Sequence, residues 1–388
     1  MKRPLEQAHE LLRSTFPEGR FFRHAPIEAG RFTHEQADQQ FVLVSIYEHR
    51  LSTHFREVGG WPFIITNGFL SSHAYNLALV WLWHRAGSRA GPDALKVALR
   101  HNYKKFYAEA ALGERNCLIG RAMLIETLLD QDEVMEPIFA DASMDPVLTK
   151  RVGELQSVTG QIASHHEAGH YFISRGISPV ELSGELLEGL ARPAVTRLRT
   201  EAGPQLAEEV LCDLLALNFA IHDETTALAD YPRLTRLRIA VLAFLLYGDL
   251  ATLGFSARFS ARQSHDVVAL GSELRSKEPI DLVVVRQPDL ARRTDVVLEV
   301  AADLAAKWGG ALFGADDIFS LPPEVQAILA DTFDHFMEAR VSPGPPPATS
   351  RAGMARLLAE ALHGHDAGAA HLLWRSKQFL IGGEPLDP

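Results

Sequence analysis

Cysteine is almost missing from this chain of 388 residues, which contains only Cys117 and Cys212. The two lie far apart in the sequence, so they form neither a metal-binding pair of close cysteines nor a disulfide framework of the kind that small secreted proteins use. Such low cysteine usage fits a reducing compartment, and we expect a cytoplasmic location. We expect Cys212 to behave as a small buried hydrophobic residue.

Positive charge is also scarce, with 38 Lys and Arg against 49 Asp and Glu and a net charge of −11. A nucleic-acid partner is therefore not expected, because such binding needs a basic patch or stripe. Long apolar runs are missing as well, since the longest, 239–247, is too short to span a bilayer. No apolar segment follows the basic residues near Met1, so we expect no signal peptide and no membrane partner. The composition leaves the oligomeric state open.

Apolar residues are plentiful, at 47% of the chain, which is enough for one large domain or two to three smaller ones. Apolar spacings of three and four recur along the chain and predict a mainly α protein with little β structure. We expect four regions. These are a helical N-terminal region of unknown role (1–145), a metal-binding catalytic region (146–275), a helical C-terminal region (276–341), and a Pro-rich linker with a terminal helix (342–388).

Individual segments carry more specific patterns. Residues 61–68 read as a short extended piece and 282–285 as a strand. Residues 131–146 look acidic and turn-prone, and 177–204 look like a connection or lid. The remaining apolar patterns predict helices at about 5–12, 35–58, 77–83, 94–130 (broken near Gly113), 205–222, 233–255, 294–307 and 350–363. The motif helix is expected to start at about 147 or 155, with Asp145-Pro146 as its entry, and to end at 175, where Gly176 suits a C-terminal cap.

The pattern His-Glu-x-x-His occurs once, at His166-Glu167-Ala168-Gly169-His170. With 17 His and 28 Glu in 388 residues, random placement gives only about 0.05 matches. On a helix, positions four apart share one face, so His166 and His170 can bind one metal ion. Glu167 points about a quarter-turn away and can reach a metal-bound water without being a ligand. The alternative is an amphipathic helix whose polar residues face solvent.

A third ligand is expected on the helix at 205–222. One stripe of this helix holds Glu209, Asp213, Ala216 and Ala220, in which the alanines would allow a close helix approach. Glu209 could bind the metal, and Asp213 could accept the second ring N–H of a ligand histidine. Glu208 is the rival ligand, although its own stripe looks like core, and an exposed carboxylate is the other alternative for Glu209.

The two motifs together, His166 to His170 followed by Glu209 to Asp213, resemble the gluzincin metallopeptidases, which use H-E-x-x-H and a downstream E-x-x-x-D on a second helix. The resemblance covers about 146–275 and implies a helical zincin-like metal domain. It implies that His166, His170 and Glu209 bind zinc, that Glu167 is the general base and that Asp213 supports a ligand from the outer shell.

Gluzincins generally stabilise the oxyanion of the reaction with a Tyr or His downstream of the ligands. We take His265, which is followed by Asp266, as the catalytic candidate for this role. His222, Tyr231 and Tyr247 are its rivals.

These observations predict a zinc-dependent hydrolase, a metallopeptidase or amidase, that acts on a peptide or a small amide-containing substrate with metal-activated water. One alternative is a helical di-iron carboxylate oxidase or oxygenase that uses the Glu167-x-x-His170 pair, because such proteins carry E-x-x-H pairs on bundled helices. Its iron would need further carboxylates, for which the sequence offers Glu126, Glu154, Glu209 and Asp213. Another alternative is a non-catalytic protein in which a metal only holds helices together.

Overall fold

The structure is a computed structural model, and it describes residues 28–32, 39–46, 53–58, 61–84, 91–112, 127, 131–177, 184–222, 228–269, 288–313 and 322–338. Within these residues it contains nine helices and four strands. The predicted fold class, mainly α, is therefore confirmed. Several predictions concern residues outside the described ones, namely the helices at 5–12 and 350–363, the strand at 282–285 and the linker at 342–347.

The described residues divide into two compact units. One comprises those within Met1–Ala78, Thr149–Ala251 and Gln287–Pro322, and the other those within Leu79–Leu148, Thr252–Arg286 and Pro323–Pro388. The first unit contains the whole stretch 166–213, which carries all of the predicted metal ligands. The domain boundaries at 145, 275 and 341 stay a prediction.

The first unit contains a mixed four-stranded sheet. Its strands are β1 (Glu28–Phe32), β2 (Gln39–Ile46), β3 (His54–Val58) and β4 (Trp61–Asn67), in the order β1-β2-β4-β3. The two outer pairs are antiparallel, whereas β2 and β4 run parallel. In the described part of the chain β3 pairs with β4 alone, which makes it an edge strand.

The helix predicted over 35–58 is wrong, because this segment forms β2 and β3. The spacing of Phe41, Val44 and Leu51 suggested a helical period, but Val42, Val44 and Ile46 alternate with a period of two. β-Branched residues in such alternation favour a strand. The extended piece predicted at 61–68 is confirmed as β4, although Gly68 begins a helix and not a turn.

The helices, in chain order, are α1 (Gly68–Trp83), α2 (Pro92–Leu112), α3 (Gln131–Met144), α4 (Pro146–Ser174), α5 (Gly184–Ala202), α6 (Pro204–His222), α7 (Arg233–Ala269), α8 (Pro288–Lys307) and α9 (Pro323–Glu338).

The motif helix α4 has well-defined ends. The Asp145 carboxylate accepts the N–H groups of Val147 and Leu148 at 2.9 and 3.1 Å, which caps the first turn. At the other end Gly176 has a φ of 74°, and the Ile177 N–H donates to the Phe172 carbonyl at 2.9 Å. The predicted start at Asp145-Pro146 and the glycine cap are confirmed.

Two segments predicted to be irregular are helical. Residues 131–146 contain α3, in which Met135, Ile138 and Ala142 are buried at helical spacing. Residues 177–204 contain α5, which likewise buries Ala191 and Leu198 on one face. In both cases burial of an apolar face outweighs the Pro, Gly and acidic residues that suggested turns.

The core around the motif joins α4, α6 and the sheet. Ala168 and Phe172 of α4 pack with Leu215 of α6 and Ile64 of β4, all fully or almost fully buried. Phe55 of the edge strand packs against this cluster from the side. This core holds the motif helix against both the sheet and α6.

Among the described residues one helical stretch, Arg233–Gly254 in α7, is long and apolar enough to cross a membrane. Of its most apolar window, 61% is buried inside the protein. A core helix passes the same test of length and composition, so this stretch is weak support for a membrane span.

The second unit has its own core. Tyr103 of α2 packs edge-on against Phe333 of α9, with ring centroids 5.3 Å apart, and Lys96 lies 3.6 Å from Asp331 across the same helix pair. Asn102 of α2 contacts the Met135 sulfur of α3 at 3.2 Å.

Candidate metal centre

The two motif histidines lie on one face of α4, as their spacing predicts. Their rings are 5.0 Å apart and nearly perpendicular, and the two Nε2 atoms are 3.2 Å from each other. His166 is almost fully buried, whereas the side chain of His170 is 26% exposed. The pair therefore presents two nitrogen donors to a point that solvent can approach.

Glu209 of α6 completes a triangle of donor atoms with these histidines. Its Oε2 lies 3.4 Å from His166 Nε2, and its Oε1 lies 3.5 Å from His170 Nε2. Within the described residues, these three form the one group of at least three His, Cys, Asp or Glu whose donor atoms all lie within 4.8 Å of one another. Ligands about 2.0–2.1 Å from a tetrahedral zinc ion are about 3.3–3.4 Å apart. These separations, with Oε2 on the side of His166 and Oε1 on the side of His170, are compatible with one bound metal ion, zinc among others.

Asp213 lies behind His166. Its Oδ1 is 2.7 Å from His166 Nδ1, and the carboxylate is fully buried. A proton on Nδ1 that is donated to Asp213 would leave the Nε2 lone pair free to face Glu209 and His170. Asp213 thus lies within hydrogen-bond distance of His166, and its outer-shell role stays a prediction.

The sequence did not reveal Arg293 of α8. Its Nε and Nη2 atoms donate to Asp213 Oδ2 and Oδ1, both at 2.8 Å, and its Nη1 donates to Glu209 Oε2 at 2.8 Å. Arg293 lies 80 residues beyond Asp213, and its own neighbours in the sequence form no motif. No local signal could have identified it.

Glu167 contacts the edge strand. The Phe55 N–H of β3 donates to Glu167 Oε2 at 2.8 Å, across 112 residues of sequence. The Phe55 ring lies 5.3 Å from the ring of Tyr171, one turn along α4. The backbone of β3 thus holds the carboxylate of Glu167 next to the histidine pair.

Tyr247 of α7 is the candidate for oxyanion stabilisation that the structure brings to the site. Its ring centroid lies 6.3 Å from that of His166. Burial, followed by the charge of Glu167, raises the pKa of the phenol, so Tyr247 stays a neutral hydrogen-bond donor.

The other candidates for that role lie elsewhere. The Tyr231 hydroxyl donates to Glu154 at 2.9 Å, and His222 is the last residue of α6, about 20 Å along the helix from Glu209. His265 falls within α7, but its side chain lies outside the described residues, so its catalytic role stays a prediction.

Glu208 and Cys212 flank His170 on the side away from the triangle. Glu208 Oε1 lies 3.6 Å from His170 Nδ1, and Cys212 Sγ lies 3.7 Å from the same nitrogen. Neither therefore faces the Nε2 atoms, and the geometry favours Glu209 over Glu208 as the third ligand. Cys212 is fully buried, as expected, and burial raises the pKa of its thiol, which keeps it neutral.

Oppositely charged groups lie close together in the site and shift the pKa values of one another. Burial lowers the pKa of His166, but the charge of Asp213 and the hydrogen bonds that Asp213 and Glu209 accept from the ring raise it to about 9. Burial raises the pKa of Glu209 and of Asp213, but their contacts with His166 and Arg293 bring both below their usual values. Burial also raises the pKa of Glu167, an effect that the charge of His166 opposes.

Gly169 lets α4 and α6 approach each other closely. A Cβ atom at this position would lie 2.8 Å from Cys212 Sγ and 2.9 Å from its Cβ, closer than real Cβ atoms come. Ala216 and Ala220, which were expected to allow the approach, are fully buried. Glycine at 169 therefore brings Glu209 of α6 within reach of the histidines of α4.

We expect Gly169→Ala to lower the free energy of unfolding by about 1–3 kcal/mol, because the added methyl group overpacks the contact with Cys212. Gly160→Ala is the matched control on the same helix, since nothing lies within 4 Å of its added Cβ. The control should gain about 0.5–1 kcal/mol, because alanine favours a helix over glycine. Chemical denaturation measures the free energy of unfolding of both variants. The same change in this free energy for Gly169→Ala and Gly160→Ala would contradict the close approach of the helices at Gly169.

Comparison with known proteins identifies no protein related to this chain. No family model matches the chain, and no curated protein and no solved structure matches it either. The function proposed below therefore rests on the residues of the site and their geometry.

Proposed function

We propose that this protein is a zinc-dependent hydrolase that cleaves a peptide or amide bond. One observation carries the proposal: the donor atoms of His166, His170 and Glu209 converge at the spacing of tetrahedral zinc ligands. Glu167 lies next to this triangle, where a general base is needed. The resemblance of both motifs to the gluzincin metallopeptidases supports the same function.

The residues of the chain divide the chemistry between them. A zinc ion held by the triangle would polarise a carbonyl group and make a nearby water more acidic. Glu167 would take the proton of that water and pass it to the leaving nitrogen. Because Glu167 Oε2 accepts the Phe55 N–H, the proton would be carried on Oε1. Tyr247 would donate its hydroxyl proton in a hydrogen bond to the developing oxyanion.

The edge strand β3 supports a peptide as the substrate. In an antiparallel strand the N–H and C=O groups of one residue point to the same side. The Phe55 N–H points to Glu167 and not to β4. The Phe55 carbonyl and, two residues on, the backbone of Glu57 therefore lie on the side of β3 where no described strand pairs. An extended peptide could pair with these groups beside Glu167.

The di-iron alternative receives less support. It needs more carboxylates around the Glu167-x-x-His170 pair than the described residues supply. Glu154 lies about 18 Å along α4 from His166 and accepts a hydrogen bond from Tyr231. Glu126 lies outside the described residues.

We expect about one zinc ion per chain in the purified protein, together with peptide cleavage that a chelator stops and added zinc restores. Elemental analysis and mass spectrometry of a peptide library before and after incubation provide the measurements. Two iron ions per chain would favour the oxidase. A protein that contains zinc but cleaves no peptide or amide would support the non-catalytic alternative, in which the metal only holds helices together.

A further inference from the structure

One guanidinium group binds both carboxylates of the E-x-x-x-D motif. Arg293 uses Nε and Nη2 for the two oxygens of Asp213 and Nη1 for Glu209 Oε2, each at 2.8 Å. Its side chain is only 14% exposed. The planar fork of arginine suits such a three-donor arrangement, whereas a lysine ammonium is a compact point charge.

The position of Nη1 distinguishes the two oxygens of Glu209. Both face the histidine pair, since Oε2 is 3.4 Å from His166 Nε2 and Oε1 is 3.5 Å from His170 Nε2. Without Arg293, either oxygen or both could bind an ion in the triangle. With Arg293 in place, Oε2 is already engaged by a cation and Oε1 keeps its lone pairs for the ion.

We propose that Arg293 is the positioning residue that makes Glu209 a ligand through one oxygen only and so keeps the fourth coordination position open. This inference rests on the proposed function, because it concerns the same ion. A catalytic zinc ion needs three protein donors and one open position. Binding through both oxygens of Glu209 would crowd that position and make an ion that keeps its water five-coordinate.

The same guanidinium group also fixes His166. Asp213 Oδ1 accepts from Arg293 Nη2 at 2.8 Å and lies 2.7 Å from His166 Nδ1. Arg293 thus supports Glu209 directly and His166 through Asp213. Two of the three ligands depend on a helix that contributes no ligand itself.

The test compares wild-type protein, Arg293→Ala and Arg293→Lys in titrations with Zn²⁺ and Co²⁺. We expect Arg293→Ala to bind Zn²⁺ about 10–100-fold more weakly, as for other losses around a metal site. We also expect weaker visible absorption of its Co²⁺ form, because five-coordinate Co²⁺ absorbs less strongly than four-coordinate Co²⁺. Arg293→Lys keeps the charge without the fork and should recover only part of both effects.

Arg197→Ala is the control, because Arg197 of α5 binds Glu299 on the exposed face of the same helix α8. It should leave affinity and spectrum unchanged, and circular dichroism checks that each variant folds. An Arg293→Ala variant with the wild-type Co²⁺ spectrum, or full recovery by lysine, would overturn the positioning role while leaving the hydrolase intact. Wild-type protein that binds neither ion would overturn the proposed function and this inference together.

Discussion

Replacing His170 by alanine should abolish stoichiometric zinc binding. The change removes one of three donors, so the loss of affinity should exceed the ~10–100-fold that an outer-shell partner contributes. His166 and Glu209 alone leave a zinc ion with two protein ligands, fewer than catalytic sites use. Elemental analysis after dialysis against zinc-free buffer and a competition titration with a chromophoric chelator provide the measurement.

Two variants serve as controls for this result. His165→Ala removes the neighbouring histidine, whose ring stacks on Phe219 at 4.9 Å and not on the triangle. Glu208→Gln removes the carboxylate that lies beside His170 Nδ1, away from the Nε2 atoms. Both should keep about one zinc ion per chain. Full occupancy in His170→Ala, or loss of zinc in Glu208→Gln, would show that the ligand set is wrong.

Glu167→Gln should keep the zinc ion but lower the rate of hydrolysis by ~10²-fold or more, the usual contribution of a general base. Glutamine has the same shape, and its amide oxygen can still accept the Phe55 N–H, so the contact with β3 is preserved. It cannot take a proton from water, however. The measurements are zinc content and initial cleavage rate of the purified variant.

The metal content of this variant separates the functional alternatives. If Glu167→Gln loses the metal together with the activity, then Glu167 is a ligand, and the di-iron arrangement gains support. Glu299→Gln on α8 is the matched control for loss of one carboxylate, because Glu299 pairs with Arg197 on the surface. Equal rates for Glu167→Gln and the wild-type protein would contradict the assigned base.

Local patterns identified the helices of the site. The apolar spacing of 205–222 matches α6 within one residue, and Asp145 and Gly176 mark the ends of α4 through caps that depend on a few neighbouring residues. The same reasoning failed at 35–58, where a short apolar run fits a helix or a strand. Pairing with β4, which lies beyond that segment, makes it a sheet.

The sequence by itself determined the mainly helical fold, the shared face of His166 and His170, and the stripe that carries Glu209 and Asp213. These features follow from helix periodicity, which extends over one or two turns. Only the tertiary structure brought Phe55 to Glu167 and Arg293 to the two carboxylates, across 112 and 80–84 residues of sequence. Such contacts depend on which apolar faces are buried together, and no spacing within one helix encodes that choice.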